Sequence, residues 1–309
     1  LDAGHVLGSA VVVLDIEDSG TTTRLAFTGD LGRHHLPILR DPEVADGVHA
    51  LMMESTYGDR LHDPIEEMSG KLADVVSRTF ARGGKVLIPS FSLERSQEIL
   101  FELKKLEASG RLPRKTKVYV DSPLTVKLTD VFKLHPECYD EETYAMLARG
   151  DSPFDFEGVE YVSDVEQSKA IDAEETPSII ISASGMVEAG RVLHHLRAQI
   201  GDPRSTVVIV GFQAEHTLGR RLVELRPEVR IFGMKFTREL EVVVLNGFSA
   251  HADQKGLVDY AAETKRRGAL RKVILVHGEP KAQNVLGRLI NARGIDDVVA
   301  PKVGDRETL

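Results

Sequence analysis

Strand-like apolar runs alternate with amphipathic helical stretches along nearly the whole chain of 309 residues. Residues 85–89 and 178–182 are short, apolar and rich in β-branched side chains, which is typical of buried strands. Residues 66–82 and 254–266 instead repeat apolar positions at helical spacing. Because this alternation favours a parallel or mixed sheet with helices on its faces, the sequence predicts an α/β fold.

Five acidic or imidazole side chains follow or end apolar runs, and each is surrounded by Gly, Ser, Thr or Ala. A fold of this class presents ligands at the edge of a sheet, where strands end. Imidazole and carboxylate groups suit zinc or a similar divalent ion. A single histidine at a strand end usually has a structural role and is held by hydrogen bonds, but the five residues together predict a metal site. The residues are His5, Asp30, Glu54, His251 and His277.

A predicted hairpin connects the first two members of this set. Residues 10–16 and 24–27 have strand character, and the segment 18–20 reads Asp-Ser-Gly, a turn signal. Since a hairpin returns the chain to its starting edge, His5 and Asp30 are expected to face one site. With His277 they would form half of a dinuclear site, an arrangement that suits phosphodiester cleavage.

Composition narrows the class of protein. The net charge of -9 argues against a general nucleic-acid coat protein, but it leaves room for a nuclease with a local basic groove. Cys138 is the single cysteine, which excludes a disulfide framework and a thiolate zinc site within this sequence and predicts a reducing, cytoplasmic location. No apolar run reaches transmembrane length, so no membrane association is expected.

Six segments carry a resemblance to a known family. They read DAGHVLGS, FTGDLGR, ESTYGDR, SASGM, FSAHAD and VHGE, in this order. Together they resemble the β-CASP branch of the metallo-β-lactamase superfamily, and are most like the bacterial polyadenylation-specificity-factor-like ribonucleases. The resemblance implies an αββα metallo-β-lactamase sandwich, incomplete at its N-terminus, with an inserted α/β β-CASP domain. The implied bounds are 1–84 for the first lactamase segment, 85–212 for the β-CASP domain and 213–309 for the return to the lactamase domain.

The resemblance also implies a role for each matching residue. His5 matches a ligand of a first zinc, Asp30 a carboxylate that bridges two zincs and orients the attacking water, and His277 a ligand of the second zinc. His251 matches the residue beside the scissile phosphate, as a general acid or transition-state donor. Glu54 matches the carboxylate that holds His251 by a hydrogen bond.

A second group of residues is predicted to bind substrate. The SASGM loop precedes a predicted helix, and hydroxyl and backbone N–H groups at such a place suit an anion. The resemblance places this loop near the active cleft, so Ser182, Ser184, Gly185 and Arg191 are expected to bind phosphate. The alternative is a tight turn in which serine caps the helix.

One departure from the family pattern affects the expected activity. The family's His-x-His-x-Asp-His motif belongs upstream of DAGH, and nothing in this sequence matches it. We therefore expect the chain to be an N-terminally truncated fragment of a longer protein. Because three ligands alone should hold metal poorly, we expect it to be inactive in isolation.

The sequence thus predicts a zinc-dependent ribonuclease that makes mainly endonucleolytic cuts, with some exonucleolytic activity. The intact protein would hold two zinc ions, with manganese as an alternative that the ligand types allow. RNA is the expected partner, and the resemblance is consistent with a homodimer. Two other interpretations stay open: a metallohydrolase of small esters or phosphodiesters, and a non-catalytic scaffold of an RNA-processing complex.

Overall fold

The structure, a computed structural model, describes residues 1–309 except for the side chains of residues 65 and 66. Strands and helices alternate as predicted, so the α/β fold class is confirmed. The strands are β1 (Val12–Asp18), β2 (Thr21–Phe27), β3 (Ala50–Glu54), β4 (Val86–Pro89), β5 (Lys117–Asp121), β6 (Val159–Val162), β7 (Ser178–Ser182), β8 (Thr206–Ile209), β9 (Glu228–Ile231), β10 (Met234–Thr237), β11 (Glu241–Val244), β12 (Lys272–Val276) and β13 (Asp297–Val299). The α-helices are α1 (Ile65–Ala81), α2 (Arg95–Ala108), α3 (Pro123–Leu134), α4 (Glu141–Ala148), α5 (Val165–Ala173), α6 (Val192–Gln199), α7 (Leu218–Val223), α8 (Gln254–Arg266) and α9 (Pro280–Asn291).

The chain divides into two compact units. One is made from two separate segments, Leu1–His62 and Ala250–Leu309, and we call it the split unit. The other is the continuous segment Asp63–Ser249, which we call the inserted unit. In the described part of the chain, every helix is too short or too polar to span a bilayer.

The split unit contains a sheet with the strand order β1-β2-β3-β12-β13. Strands β1 and β2 form the predicted hairpin, whose two loop residues Ser19 and Gly20 both have positive φ, as a two-residue turn of this kind requires. The remaining neighbours pair in parallel, so β2, β3 and β12 end at the same edge. Helices α8 and α9 contribute Leu257 and Leu286 to the core beneath β3, where they join Met53.

The inserted unit contains a parallel sheet with the strand order β11-β8-β4-β7-β5-β6, beside the separate hairpin β9–β10. Successive residues of β7 enter different cores: Ile179 and Ile181 join one cluster, and Ile180 joins the other. Because both faces are apolar and covered, β7 reads as a continuous apolar run in the sequence.

The predicted domain bounds and the compact units divide the chain at different places. The sequence places the bounds after residues 84 and 212, whereas the contacts divide the chain after residues 62 and 249. The physical reason for the contact division is packing. Met68 and Leu72 of α1 enter the core of the six-stranded sheet, and β11 pairs with β8 in that same sheet. The family-domain bounds stay a prediction.

Candidate metal and catalytic site

Three of the predicted site residues lie at one edge of the split-unit sheet. Asp30 follows β2, Glu54 is the last residue of β3, and His277 follows β12. These strands are neighbours and run in parallel, so their carboxyl ends meet at the same edge. This edge is where open α/β sheets place their ligands.

The hairpin brings His5 to the same edge. Because β1 runs antiparallel to β2, the start of β1 lies beside the end of β2, with Val12 opposite Phe27. The loop carrying His5 is fixed by a backbone hydrogen bond from the Gly32 N–H to the Ala3 carbonyl, at 2.8 Å. A Cβ added at Gly32 would lie 1.9 Å from a backbone oxygen of the neighbouring loop, so this close approach requires glycine.

Backbone pairing also fixes His251 from the other segment of the split unit. Gly32 and His251 form an antiparallel bridge. The Arg33 N–H donates to the Ala250 carbonyl at 3.2 Å, and the Ala252 N–H donates to the Leu31 carbonyl at 2.7 Å. The His5 and His251 rings have centroids 4.3 Å apart, so residues nearly 250 positions apart in the chain share one site.

Glu54 holds the His251 ring. Its Oε1 lies 2.8 Å from His251 Nδ1 and accepts the Leu31 N–H at 2.7 Å, while its Oε2 accepts the Thr56 N–H at 3.3 Å. Burial alone would raise the pKa of Glu54, but the hydrogen bond and charge of His251, with the Thr56 and Leu31 donors, outweigh it and lower the pKa. Since an ionised carboxylate accepts hydrogen bonds and does not donate them, the proton of this contact lies on His251 Nδ1.

Asp30 lies between two imidazoles. Its Oδ1 is 3.2 Å from His277 Nδ1, and its Oδ2 is 3.9 Å from His5 Nε2. His277 is held in turn by Thr56, whose Oγ1 lies 3.2 Å from the same Nδ1, and by the Ser55 N–H, which donates to the His277 carbonyl at 3.1 Å. Each oxygen of the Asp30 carboxylate thus faces a different imidazole.

The donor set fits a divalent cation. Ligand atoms of His5, Asp30 and His251 lie within 4.8 Å of one another, and the same holds for Glu54, His251 and His277. Imidazole nitrogens with carboxylate oxygens are ligands that zinc and manganese accept. Both groups include His251, whose Nδ1 is paired with Glu54. That His5, Asp30 and His277 together hold the metal stays a prediction.

The sequence interpretation missed one neighbour of this site. His62 Nε2 donates to the His251 carbonyl at 3.1 Å, and its ring packs edge-on against Tyr57, with centroids 4.3 Å apart. Burial, together with the charge of Arg33, lowers the pKa of His62 to about 4, so its ring is neutral at physiological pH. No local pattern predicts this contact, because His62 and His251 are 189 residues apart.

The predicted substrate-binding residues lie in the inserted unit, in the segment from the end of β7 to α6. Ser182 Oγ donates to the Asp121 carbonyl at 2.8 Å, and Arg191 pairs with the Asp121 carboxylate at 2.5 Å. Ser184 Oγ accepts backbone N–H groups of its own loop at 3.2 and 3.3 Å, and Gly185 packs against Phe91. These contacts match the tight turn of the alternative, but the serine cap is wrong: the N-cap residue of α6 is Arg191, which makes no side-chain capping bond, and Ser184 binds N–H groups of the loop before the helix. Phosphate binding by this loop stays a prediction.

Comparison with known proteins gives two family matches. The model described as the Beta-Casp domain matches residues 96–222. The model described as the Zn-dependent metallo-hydrolase RNA specificity domain matches residues 237–301, the segment that contains His251 and His277. The matched regions therefore include much of the inserted unit and the second segment of the split unit.

Three relatives show the same similarity over most of the chain. Ribonuclease TTHA0252 of Thermus thermophilus is 37% identical over 292 residues, which cover 94% of this chain and 65% of that protein. Transcription termination factor FttA of Pyrococcus abyssi is 33% identical over 291 residues, covering 91% of this chain and 44% of that protein. An RNase J-like protein of Methanocaldococcus jannaschii is 33% identical over 282 residues, covering 90% and 62%. The chain thus spans 44% to 65% of the length of these relatives.

Proposed function

Since the chain belongs to the β-CASP branch of the metallo-β-lactamase superfamily, a branch of metal-dependent hydrolases, we propose that it carries catalytic and metal-binding residues of a ribonuclease. The reaction is hydrolysis of RNA phosphodiester bonds, mainly by endonucleolytic cuts. One observation carries the proposal: the Glu54–His251 pair lies at the same sheet edge as Asp30, which is flanked by His5 and His277. The relative named as a ribonuclease supports RNA as the substrate.

Some of these residues would bind metal, and others would transfer protons. His5, Asp30 and His277 would hold metal, with two zinc ions as the proposed state and manganese as the alternative. A bound metal of this kind supplies Lewis-acid polarisation of the phosphate and lowers the pKa of a water ligand. Asp30 would orient the attacking water, and the contact of its two oxygens with different imidazoles supports this role.

His251 acts on the leaving oxygen. Glu54 holds its Nδ1, so the ring is fixed in orientation and Nε2 is the nitrogen that donates to the leaving group. His62, neutral and bonded to the His251 carbonyl, supports the same backbone segment. Proton donation by a positioned histidine contributes about 10²–10⁴-fold to a rate.

The test uses the protein as its gene encodes it, loaded with zinc. His251→Ala should reduce the cleavage rate of end-labelled single-stranded RNA by at least about 100-fold while the bound zinc is unchanged. His35→Ala is the matched control, because His35 is an exposed histidine of the same unit, with 86% of its side chain accessible. Full activity of the His251 variant would refute the assigned role.

Two control assays separate the alternative functions. Hydrolysis of chromogenic esters without RNA cleavage would favour a small-substrate hydrolase. RNA binding without cleavage of either substrate would favour a scaffold. The size and spacing of the cleavage products distinguish endonucleolytic from exonucleolytic action. A homodimer and a cytoplasmic location stay predictions.

A further inference from the structure

A basic groove lies in the inserted unit, and its lining includes none of the site residues assigned above. It has a volume of about 520 Å³ and is lined by α7, the residues that follow it and the β9–β10 hairpin. Five cationic side chains and three carboxylates line it, although the whole chain carries a net charge of -9. We call it the arginine groove; its cations are Arg220, Arg221, Arg226, Arg230 and Lys235.

The hairpin places two of these cations directly opposite each other. Arg230 pairs with Lys235 in the antiparallel β9–β10 register. Like charges in this position destabilise a hairpin. The β1–β2 hairpin shows the favourable arrangement, because Arg24 lies opposite Asp15 and binds its carboxylate at 2.7 and 2.9 Å. The Arg230–Lys235 pair therefore costs stability unless an anion lies between the two side chains.

In the part of the chain that the structure describes, three of the five cations in the groove are paired with carboxylates, and two are not. Glu224 binds Arg220 and Arg226, each at 3.1 Å, and Glu228 lies 3.4 Å from Lys235. Arg221 and Arg230 donate instead to backbone carbonyls. A guanidinium has five N–H donors, so one carbonyl contact leaves most of this capacity for a phosphate.

An exposed aromatic ring lies at the end of the same hairpin. Phe232 occupies the β9–β10 turn with 47% of its surface accessible. Its ring packs against the His194 ring, with centroids 4.8 Å apart, and the guanidinium of Arg197 lies over it at 5.6 Å. Cations that contact a sugar-phosphate backbone, combined with an aromatic platform for bases, are typical of surfaces that bind single-stranded nucleic acid. An acidic peptide would use the cations and would have no need of the exposed ring.

We infer that the arginine groove binds the phosphodiester backbone of single-stranded RNA, with Phe232 stacking on a base. The inference rests on the proposed function for the identity of the nucleic acid, but it concerns a different set of residues. It gives the RNA a contact surface that needs no metal.

The test measures the dissociation constant of a fluorescent oligouridylate as a function of salt, on the full chain in the presence of EDTA. The double variant Arg221→Gln/Arg230→Gln should weaken binding about tenfold at low salt and reduce the slope of log Kd against log salt by about 1.4, the value for two lost single-strand phosphate contacts. The matched control Arg114→Gln/Arg149→Gln removes the same charge from two exposed arginines of the inserted unit and should leave both quantities near those of the parent. Equal losses in both double variants, or none, would overturn the inference.

A second variant tests the stacking contact. Phe232→Ala should weaken binding by at least about fivefold without changing the salt slope, because stacking involves no ion release. Unchanged affinity would remove Phe232 from the site. Polyglutamate that binds with the same dependence on Arg221 and Arg230 as the oligouridylate would identify an acidic-protein surface and overturn the RNA assignment.

The inference and the proposed function fail separately. The dissociation constant in EDTA tests the groove, and cleavage of RNA by the zinc-loaded protein tests the ribonuclease. RNA binding that depends on the groove, without cleavage by the zinc-loaded protein, would refute the ribonuclease and keep the groove. If the double variant changes neither cleavage nor binding, the groove is refuted and the ribonuclease is kept.

Discussion

Each unit of the molecule contains a histidine paired with a buried carboxylate, and the two pairs differ in how the ring is used. In the split unit, Glu54 holds the Nδ1 of His251, and 18% of the His251 side chain remains accessible at the sheet edge. In the inserted unit, His195 is fully buried, with Nδ1 on Asp172 and Nε2 on Asp121, each at 2.6 Å.

The difference separates the arrangement proposed to be reactive from a structural one. A ring with both nitrogens bonded to carboxylates is a cross-link and has no nitrogen to offer a substrate. Burial works against the charged form of His195, but hydrogen bonds to Asp121 and Asp172 outweigh it and raise the pKa. Strong histidine–carboxylate contacts alone therefore do not mark a catalytic site; accessibility and neighbouring ligands do.

The sharpest test of this comparison is the effect of each histidine on folding. His195→Ala should lower the free energy of unfolding by about 3 kcal/mol, because it removes one partner of the buried Asp121 carboxylate and leaves a cavity in place of a fully buried ring. His251→Ala should cost about 1 kcal/mol, since water can enter an open site and two backbone donors still bind Glu54. Urea unfolding of both variants measures this, and equal losses would contradict the distinction.

A smaller effect is expected for the carboxylate of the reactive pair. Glu54→Gln keeps an acceptor for the Leu31 N–H but removes the charge that holds His251, so RNA cleavage should fall about 10–100-fold. Cleavage rates of the zinc-loaded protein test this. Glu43→Gln, which changes a carboxylate of the same unit outside the site, is the control and should retain activity. A loss equal to that of His251→Ala would mean that Glu54 does more than orient the ring.

The smallest expected effect is a dependence of stability on pH. The pKa of His195 is raised in the folded state, so its contribution is fully present below about pH 6.5, the unfolded value, and is lost as pH rises through the folded pKa. The urea midpoint of the parent should therefore approach that of His195→Gln as pH increases across this range. His194→Gln, at the exposed neighbouring position, should retain the parent's pH dependence. A constant difference between parent and His195→Gln would show that His195 does not titrate there.

The sequence was sufficient to predict the residues at the sheet edge, because the local sequence pattern shows where strands end. Strand ends are visible as the ends of apolar runs, and parallel strands bring their carboxyl ends together, so Asp30, Glu54 and His277 followed from pattern and fold class. The hairpin likewise predicted that His5 would lie near Asp30. The exact bonding of these residues needed the structure.

The Glu54–His251 contact was predicted from the family motifs, but contacts between distant segments outside those motifs could not be predicted from the sequence. His195 meets Asp121 across 74 residues, and His62 meets His251 across 189, with no local pattern to indicate either. The partner of Arg191 could not be predicted either. Its position before a helix suggested a phosphate partner, whereas the structure pairs its guanidinium with Asp121. The sequence shows which residue types are present, but the tertiary fold decides which of them contact each other.

The parallel pairing of β3 with β12 has a consequence for synthesis on the ribosome. The two strands belong to chain segments separated by the whole inserted unit, so β3 must wait for roughly 220 further residues before its partner emerges, about 10–40 s at ~5–20 residues per second. During that interval the inserted unit can complete its own parallel sheet, whereas the edge of β3 that will receive β12 has not yet met its partner. The sheet edge that carries Glu54 and His277 thus assembles only after the whole inserted unit has been synthesised.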